Sequence, residues 1–261
     1  GVFWGMPSGP HTLDRVTAML PKLYAERLSN AGIDYGVMYS TELLRLMHVR
    51  NDEMRQAGHR ALNTMLADIF SDVTDRLTPS AGIPMYSPEE AINELDYAVG
   101  ELGLKAATFG TEIRIAPPDL AAEAPELADA MEKIYPVALD ALHDYDPVWQ
   151  KCLDMGVAVA CHTGDRGGMG RRSSPTNYVF NHLGCFAESG DYFARCLFMD
   201  GVTRRFPGLN FAFLEGGVGW ACSLYGDLVG HFGTRSLRTV REELDPSLLD
   251  RELFQQLANS E

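Results

Sequence analysis

Two ionisable residues close short apolar runs and are followed almost at once by glycine. His162 ends Val157-Ala-Val-Ala-Cys161 and precedes Thr163-Gly164, while Glu215 ends Leu209-Asn-Phe-Ala-Phe-Leu214 and precedes Gly216-Gly217. An imidazole in that position serves as a metal ligand or a general acid–base group. A carboxylate there serves as a metal ligand, as a general base, or as the partner that orients the imidazole. Glycine beside them lets backbone approach a ligand closely. Plainer roles compete: a core histidine bonded to a neighbour, and a glutamate paired with Arg204 or Arg205 or sitting at the start of the next helix.

Between the two runs lies a polar loop carrying Arg171, Arg172, Asn177, Asn181 and His182. Guanidinium groups match a substrate carboxylate bidentately, so Arg171 and Arg172 are candidate substrate contacts; a solvated pair is the competing reading. Asn177 and Asn181 are expected to shape the pocket. His182 offers a second imidazole for substrate or metal, with a cap or core role as the alternative. His11, His48, His59, His143 and His231 have no comparable setting and read as surface, loop or helix-face residues. The sequence holds no Gly-x-Ser-x-Gly elbow, phosphate loop or dinucleotide fingerprint.

The elements that must position these groups alternate along the chain. Strands are expected over Ile33–Tyr39, Leu77–Pro84, Leu104–Phe109, Val157–His162 and Leu209–Leu214. Helices are expected over Asp52–Phe70, from Ser87-Pro88-Glu89-Glu90 to Leu102, over Pro147–Met155, over Tyr192–Phe206, and from Val218 to Gly230. In the first of these Met54, Ala57, Ala61, Leu62, Met65, Leu66 and Ile69 fall at helical spacing. Repeated strand–helix–strand units imply a parallel sheet with right-handed crossovers. Periodicity leaves a doubly wound sheet and an incomplete barrel equally open. Within Val157–His162 the two-residue period sets Val157, Val159 and Cys161 on one face, toward the helices. It sets Ala158, Ala160 and His162 on the other, so Cys161 is not expected to act as a nucleophile.

Bulk properties narrow the partners. The 261 residues carry 22 Lys and Arg against 36 Asp and Glu, a net charge of −14. That balance argues against nucleic acid and against anionic membrane surfaces, and leaves a small molecule as the expected partner. The apolar runs are too short to span a bilayer. Five cysteines without a Cys-x-x-Cys pair suit reduced thiols in a cytoplasmic enzyme. Homo-oligomerisation stays open.

Asp146-Pro147-Val148-Trp149 with Gly156-Val-Ala-Val-Ala-Cys-His162-Thr-Gly164 resembles the segment of the amidohydrolase-related family that supplies a metal-binding histidine from strand five. Gly201-Val-Thr-Arg-Arg-Phe-Pro207-Gly-Leu209 with Phe213-Leu-Glu215-Gly-Gly217-Val-Gly-Trp220 is similar to that family's strand-six signature. Gly32-Ile-Asp34, Asp75-Arg76-Leu77 and Gly103-Leu-Lys105-Ala fit its earlier strands, so the resemblance spans nearly the whole chain. The family includes aminocarboxymuconate-semialdehyde decarboxylase and γ-resorcylate decarboxylase.

The resemblance implies a (β/α)8 TIM-type barrel with one divalent metal at its carboxyl face, zinc before manganese. Family ligands are a His-x-His or Glu-x-His pair on strand one, the strand-five histidine and a strand-eight aspartate. Only His162 has a counterpart among them, and no His-x-His occurs. Strands one, seven and eight are therefore expected outside this chain. Residues 1–261 are expected to form a single partial barrel domain, with 1–31 as a lid segment and 110–145 as an insertion.

Where decarboxylases of the family carry a catalytic histidine after strand six, this chain has Glu215. The expected activity is metal-dependent hydrolysis of a small organic substrate. His162 would be the ligand, Glu215 and His182 the catalytic groups, and Trp220 a pocket wall. Non-oxidative decarboxylation of an aromatic or unsaturated acid is the nearest alternative, and a non-catalytic barrel fragment used for binding is the alternative of another class.

Overall fold

The computed structural model describes residues 9–128, 130–162, 174 and 176–260. Its contacts divide into two units, 1–216 and 217–261. In the first, five parallel strands form one sheet: β1 (Gly36–Met38), β2 (Leu77–Ile83), β3 (Ala106–Gly110), β6 (Val159–His162) and β7 (Phe211–Phe213). The order β1-β2-β3-β6-β7 follows the chain without reversal. A doubly wound sheet requires a point where the order reverses. Sequential order, with each strand docking beside its predecessor, is the winding of a barrel. A separate antiparallel hairpin joins β4 (Glu112–Ile115) to β5 (Lys133–Pro136), between β3 and β6 in sequence.

Register gives the sheet two unlike faces. Thr108 pairs with Ala160 and Gly110 with His162, while Phe109 pairs with Cys161. The second row joins the main core: Ala81, Ile83, Ala107, Phe109, Val159 and Cys161 pack with Leu95, Trp149, Cys152, Phe193 and Leu197. Cys161 thus lies on the helix side, as its period-two position requires, and burial pushes its thiol far above the usual range. The first row is small and polar. Ser80 Oγ and Thr108 Oγ1 share a hydrogen bond of 2.6 Å, both side chains fully buried.

Helices differ from the sequence expectation in their buried faces and in their limits. Helix Asp52–Ile69 starts on an Asn51 cap, whose side chain accepts from the Met54 amide. It buries Arg55, His59, Leu62, Asn63 and Leu66, whereas Met54, Met65 and Ile69 lie exposed. The buried stripe is half polar because its opposite number is polar too. Glu90 and Glu94 of helix Pro88–Leu95 receive Arg55 at 2.8 Å and Asn63 at 2.7 Å. His59, read from sequence as a surface, loop or helix-face residue, lies on the buried face of helix Asp52–Ile69 and is fully buried.

The helix expected over Tyr192–Phe206 instead runs Cys185–Met199, followed by a short turn Val202–Arg205. Gly184 and Gly201 stand just before these two segments with φ of 74° and 77°. Glycine takes left-handed backbone at little cost, so the chain restarts at each of them. The buried residues Cys185, Ser189, Gly190, Phe193, Cys196 and Leu197 continue one helical face back beyond Tyr192.

The second unit is helical: Gly219–Arg235, Leu237–Glu242 and Arg251–Ala258. Its first helix continues past the expected stop at Gly230. Val218, Tyr225, Val229 and Phe232 recur at spacings of three, four and seven and are all exposed. No helix among the described residues is long and apolar enough to cross a membrane.

Candidate active site at the carboxyl end of the sheet

His162 is the last residue of β6 and is buried, at 4% exposure. Its neighbour strand β7 ends two residues before Glu215, and the Leu214 amide still donates to the Cys161 carbonyl at 3.2 Å. That extra rung brings the two candidate residues together: His162 Nε2 lies 3.3 Å from Glu215 Oε1. Glu215 has φ of 63°, a left-handed conformation that costs a non-glycine residue of order 1 kcal/mol or more. It turns the chain directly off the strand. The carboxylate remains largely open to solvent, with its side chain 57% exposed. The arrangement joins a buried imidazole to an accessible acid at hydrogen-bond distance, a pair able to hold and pass a proton.

The remaining wall is aromatic. Phe186 meets His162 edge to face at 5.4 Å and His182 edge to face at 5.2 Å. His182 in turn stacks on Tyr178 at 5.4 Å. His182 is therefore linked to His162 through the Phe186 ring. Phe186 escaped the sequence reading because it sits one residue into a helix whose start lay seven residues earlier than expected.

The asparagines are engaged locally. Asn177 accepts from the Phe180 amide at 2.9 Å and caps the helix Tyr178–His182. Asn181 accepts from the Ser174 amide at 2.7 Å and donates to the Ser174 carbonyl at 2.8 Å. Trp220 belongs to the second unit, near the start of helix Gly219–Arg235. Arg171 and Arg172 lie outside the described residues.

Whether these groups suit a divalent metal can be tested on donor geometry. A nitrogen and an oxygen 3.3 Å apart match the ~3.3 Å edge of a tetrahedron with ligands ~2.0 Å from zinc. The separation is compatible with two adjacent coordination positions as well as with the hydrogen bond itself. Among the described residues, no group of three or more His, Cys, Asp or Glu side chains is placed to hold a metal.

The family model described as Amidohydrolase matches residues 23–240. Among solved structures, an amidohydrolase from Mycobacterium avium subsp. paratuberculosis aligns with a TM-score of 0.60 at 18% identity, over 87% of this chain and 57% of that one. A 5-carboxyvanillate decarboxylase from Novosphingobium aromaticivorans, complexed with manganese and 4-hydroxy-3-methoxy-5-nitrobenzoic acid, gives 0.57 at 16% identity over 82% and 56%. A dihydroxybenzoic acid decarboxylase from a Polaromonas species, with bound manganese and the inhibitor 2-nitroresorcinol, gives 0.56 at 18% identity over 72% and 52%. The chain spans about half the length of these structures. At such identities the likeness establishes the fold: part of a (β/α)8 barrel. No curated protein sequence matches.

Proposed function

The chain belongs to the amidohydrolase family, and from that membership we propose that it carries part of the active site of a metal-dependent hydrolase acting on a small organic molecule. The observation that carries the reading is the 3.3 Å contact between His162 and Glu215 at the carboxyl ends of adjacent strands. In barrels of this type, chemistry is built at that end.

His162, held by β6 and braced by the Phe186 ring, would be a metal ligand. Its Nε2 is the atom that faces Glu215, so the residues that would hold the metal are His162 and, beside it, Glu215. When bound, the metal supplies Lewis-acid polarisation and lowers the pKa of water in contact with it toward ~7. Glu215, open to solvent beside His162, would serve as the group that holds and passes a proton at the substrate. Phe186, His182 and Tyr178 would give an apolar substrate a wall of rings.

Decarboxylation is the second reading. Two of the solved structures that share the fold are decarboxylases holding manganese. A carboxylic acid at Glu215 could also deliver the proton that replaces a lost carboxylate.

Equilibrium dialysis against Mn2+ or Zn2+ followed by elemental analysis tests the site. The expected result is more ion retained by the wild-type chain than by His162→Ala, at less than one per chain because only two ligand groups meet among the described residues; equal metal in both overturns the assignment. Product analysis divides the two chemistries. A new acid with an alcohol or amine is the hydrolytic outcome, and released CO2 is the lyase outcome.

A further inference from the structure

Glu112 is a buried acid that the chemistry above leaves unused. It opens β4 two residues beyond Gly110, whose bridge partner is His162. The carboxylate is nearly inaccessible, its side chain 3% exposed. Arg114, two residues along the same strand, is its ionic partner. The guanidinium spends two nitrogens on one oxygen: Nε donates to Oε1 at 2.7 Å and Nη2 lies 2.5 Å from the same atom. A face-on guanidinium would occupy both oxygens. From its position on Glu112's own strand, Arg114 engages one only, and Oε2 is buried with no hydrogen-bond partner among the described residues. A buried carboxylate oxygen without a donor is disfavoured, and such an atom calls for an explanation.

Its surroundings supply one. Thr111 Oγ1 lies 3.4 Å from Ser189 Oγ on helix Cys185–Met199. Three residues earlier on that helix, Phe186 packs on the His162 ring. The strand register and this helix therefore tie Glu112 to the same end of the sheet as His162.

We propose that Glu112 Oε2 is a substrate-binding acceptor, which receives a hydrogen bond from a hydroxyl or amide N–H group of the molecule bound beside His162. This deepens the reading above and rests on it for the identity of the site. Arg114 already balances the charge of Glu112, so a neutral donor suits the position better than a second cation. The rings of Phe186, His182 and Tyr178 favour a planar molecule carrying that donor.

The test uses two probes that differ by a hydroxyl proton, p-cresol and its methyl ether 4-methylanisole, titrated into the full chain with ligand-observed NMR. The wild type is expected to bind p-cresol about tenfold or more tightly than the ether, as for one bond to a charged acceptor. In Glu112→Gln an amide NH2 replaces Oε2, offering a donor to either ether or phenol oxygen, and the preference disappears. Equal binding of both probes by the wild type overturns the proposal, as does binding of neither at millimolar concentration. The wild-type comparison stands even if the variant does not fold. Mn2+ retention, read in the same samples from water-proton relaxation, separates the two readings. No preference with Mn2+ held sinks Glu112 alone; a preference without Mn2+ sinks the metal role of His162 and leaves Glu112 standing.

Discussion

Glu215 combines a chemical role with a conformational cost, and the two separate by substitution. Its φ of 63° suits glycine. Glu215→Gly and Glu215→Ala both remove the acid, but the glycine variant is expected to be more stable than the alanine variant by about 1 kcal/mol. Thermal denaturation of the pair checks this, and equal melting points would mean the turn is unstrained. His59 makes a second residue-scale prediction. Its Nδ1 lies 2.8 Å from the Arg55 carbonyl, and burial pushes its imidazole below the ordinary 6.5 against smaller opposing pulls from that bond and from Glu90. As pH falls through about 6.5 the unfolded chain takes a proton that the folded one refuses. Stability is then full above that pH and drains below it, by up to ~1.4 kcal/mol per pH unit. Urea titrations at pH 7.5 and 5.5 should show this loss shrink in His59→Phe. At this scale the sequence spoke clearly where a period of two applied, as for Cys161 and His162. It was silent on Glu112, since nothing local says that a charged side chain will be buried away from its expected solvent.

The helix layer is stitched by charge between elements. Arg55 bonds Glu90 at 2.8 Å and lies 3.8 Å over the Tyr86 ring. Glu90 also accepts from the Tyr86 and Ser87 amides, completing a capping box with Ser87. A buried pair contributes little net stability when whole but exposes a large cost when halved. Glu90→Ala is expected to destabilise by about 3–5 kcal/mol, measured by denaturant unfolding, whereas Glu53→Ala on the exposed face of helix Asp52–Ile69 should change it by less than about 0.5. The strands and most helix limits were readable from apolar period and glycine stops. The start of helix Cys185–Met199 was not, because its buried face mixes Ser189 and Gly190 with Cys and Phe and so carries little hydropathic signal. The i, i+4, i+8 run of Arg55, His59 and Asn63, with Glu90 and Glu94 four apart on the helix it faces, is the sequence signal of this polar layer.

On the scale of the whole molecule, sequential strand order decides what periodicity left open. Five strand–helix units are countable in sequence, but the order of pairing is set by long-range contacts that no window of residues contains. Among the described residues β1 pairs only with β2 and β7 only with β6. Free parallel edges and the exposed Val218, Tyr225, Val229 and Phe232 both invite association. Light scattering on the isolated chain is expected to show mass rising with concentration. Phe232→Ser with Tyr225→Ser should reduce that rise, and a concentration-independent monomer would count against it.

One side chain meanwhile finishes an edge that no strand reaches. β1 stops pairing at Pro79, and beyond it the Asn63 amide takes over at Gly82, accepting from its N–H at 2.7 Å and donating to its carbonyl at 2.9 Å. Backbone protection at Gly82 is thus lent by a helix rather than by the sheet. The deuterium uptake of that single amide becomes a clock for helix Asp52–Ile69 lifting away, while the amides of β3 keep time for the sheet itself.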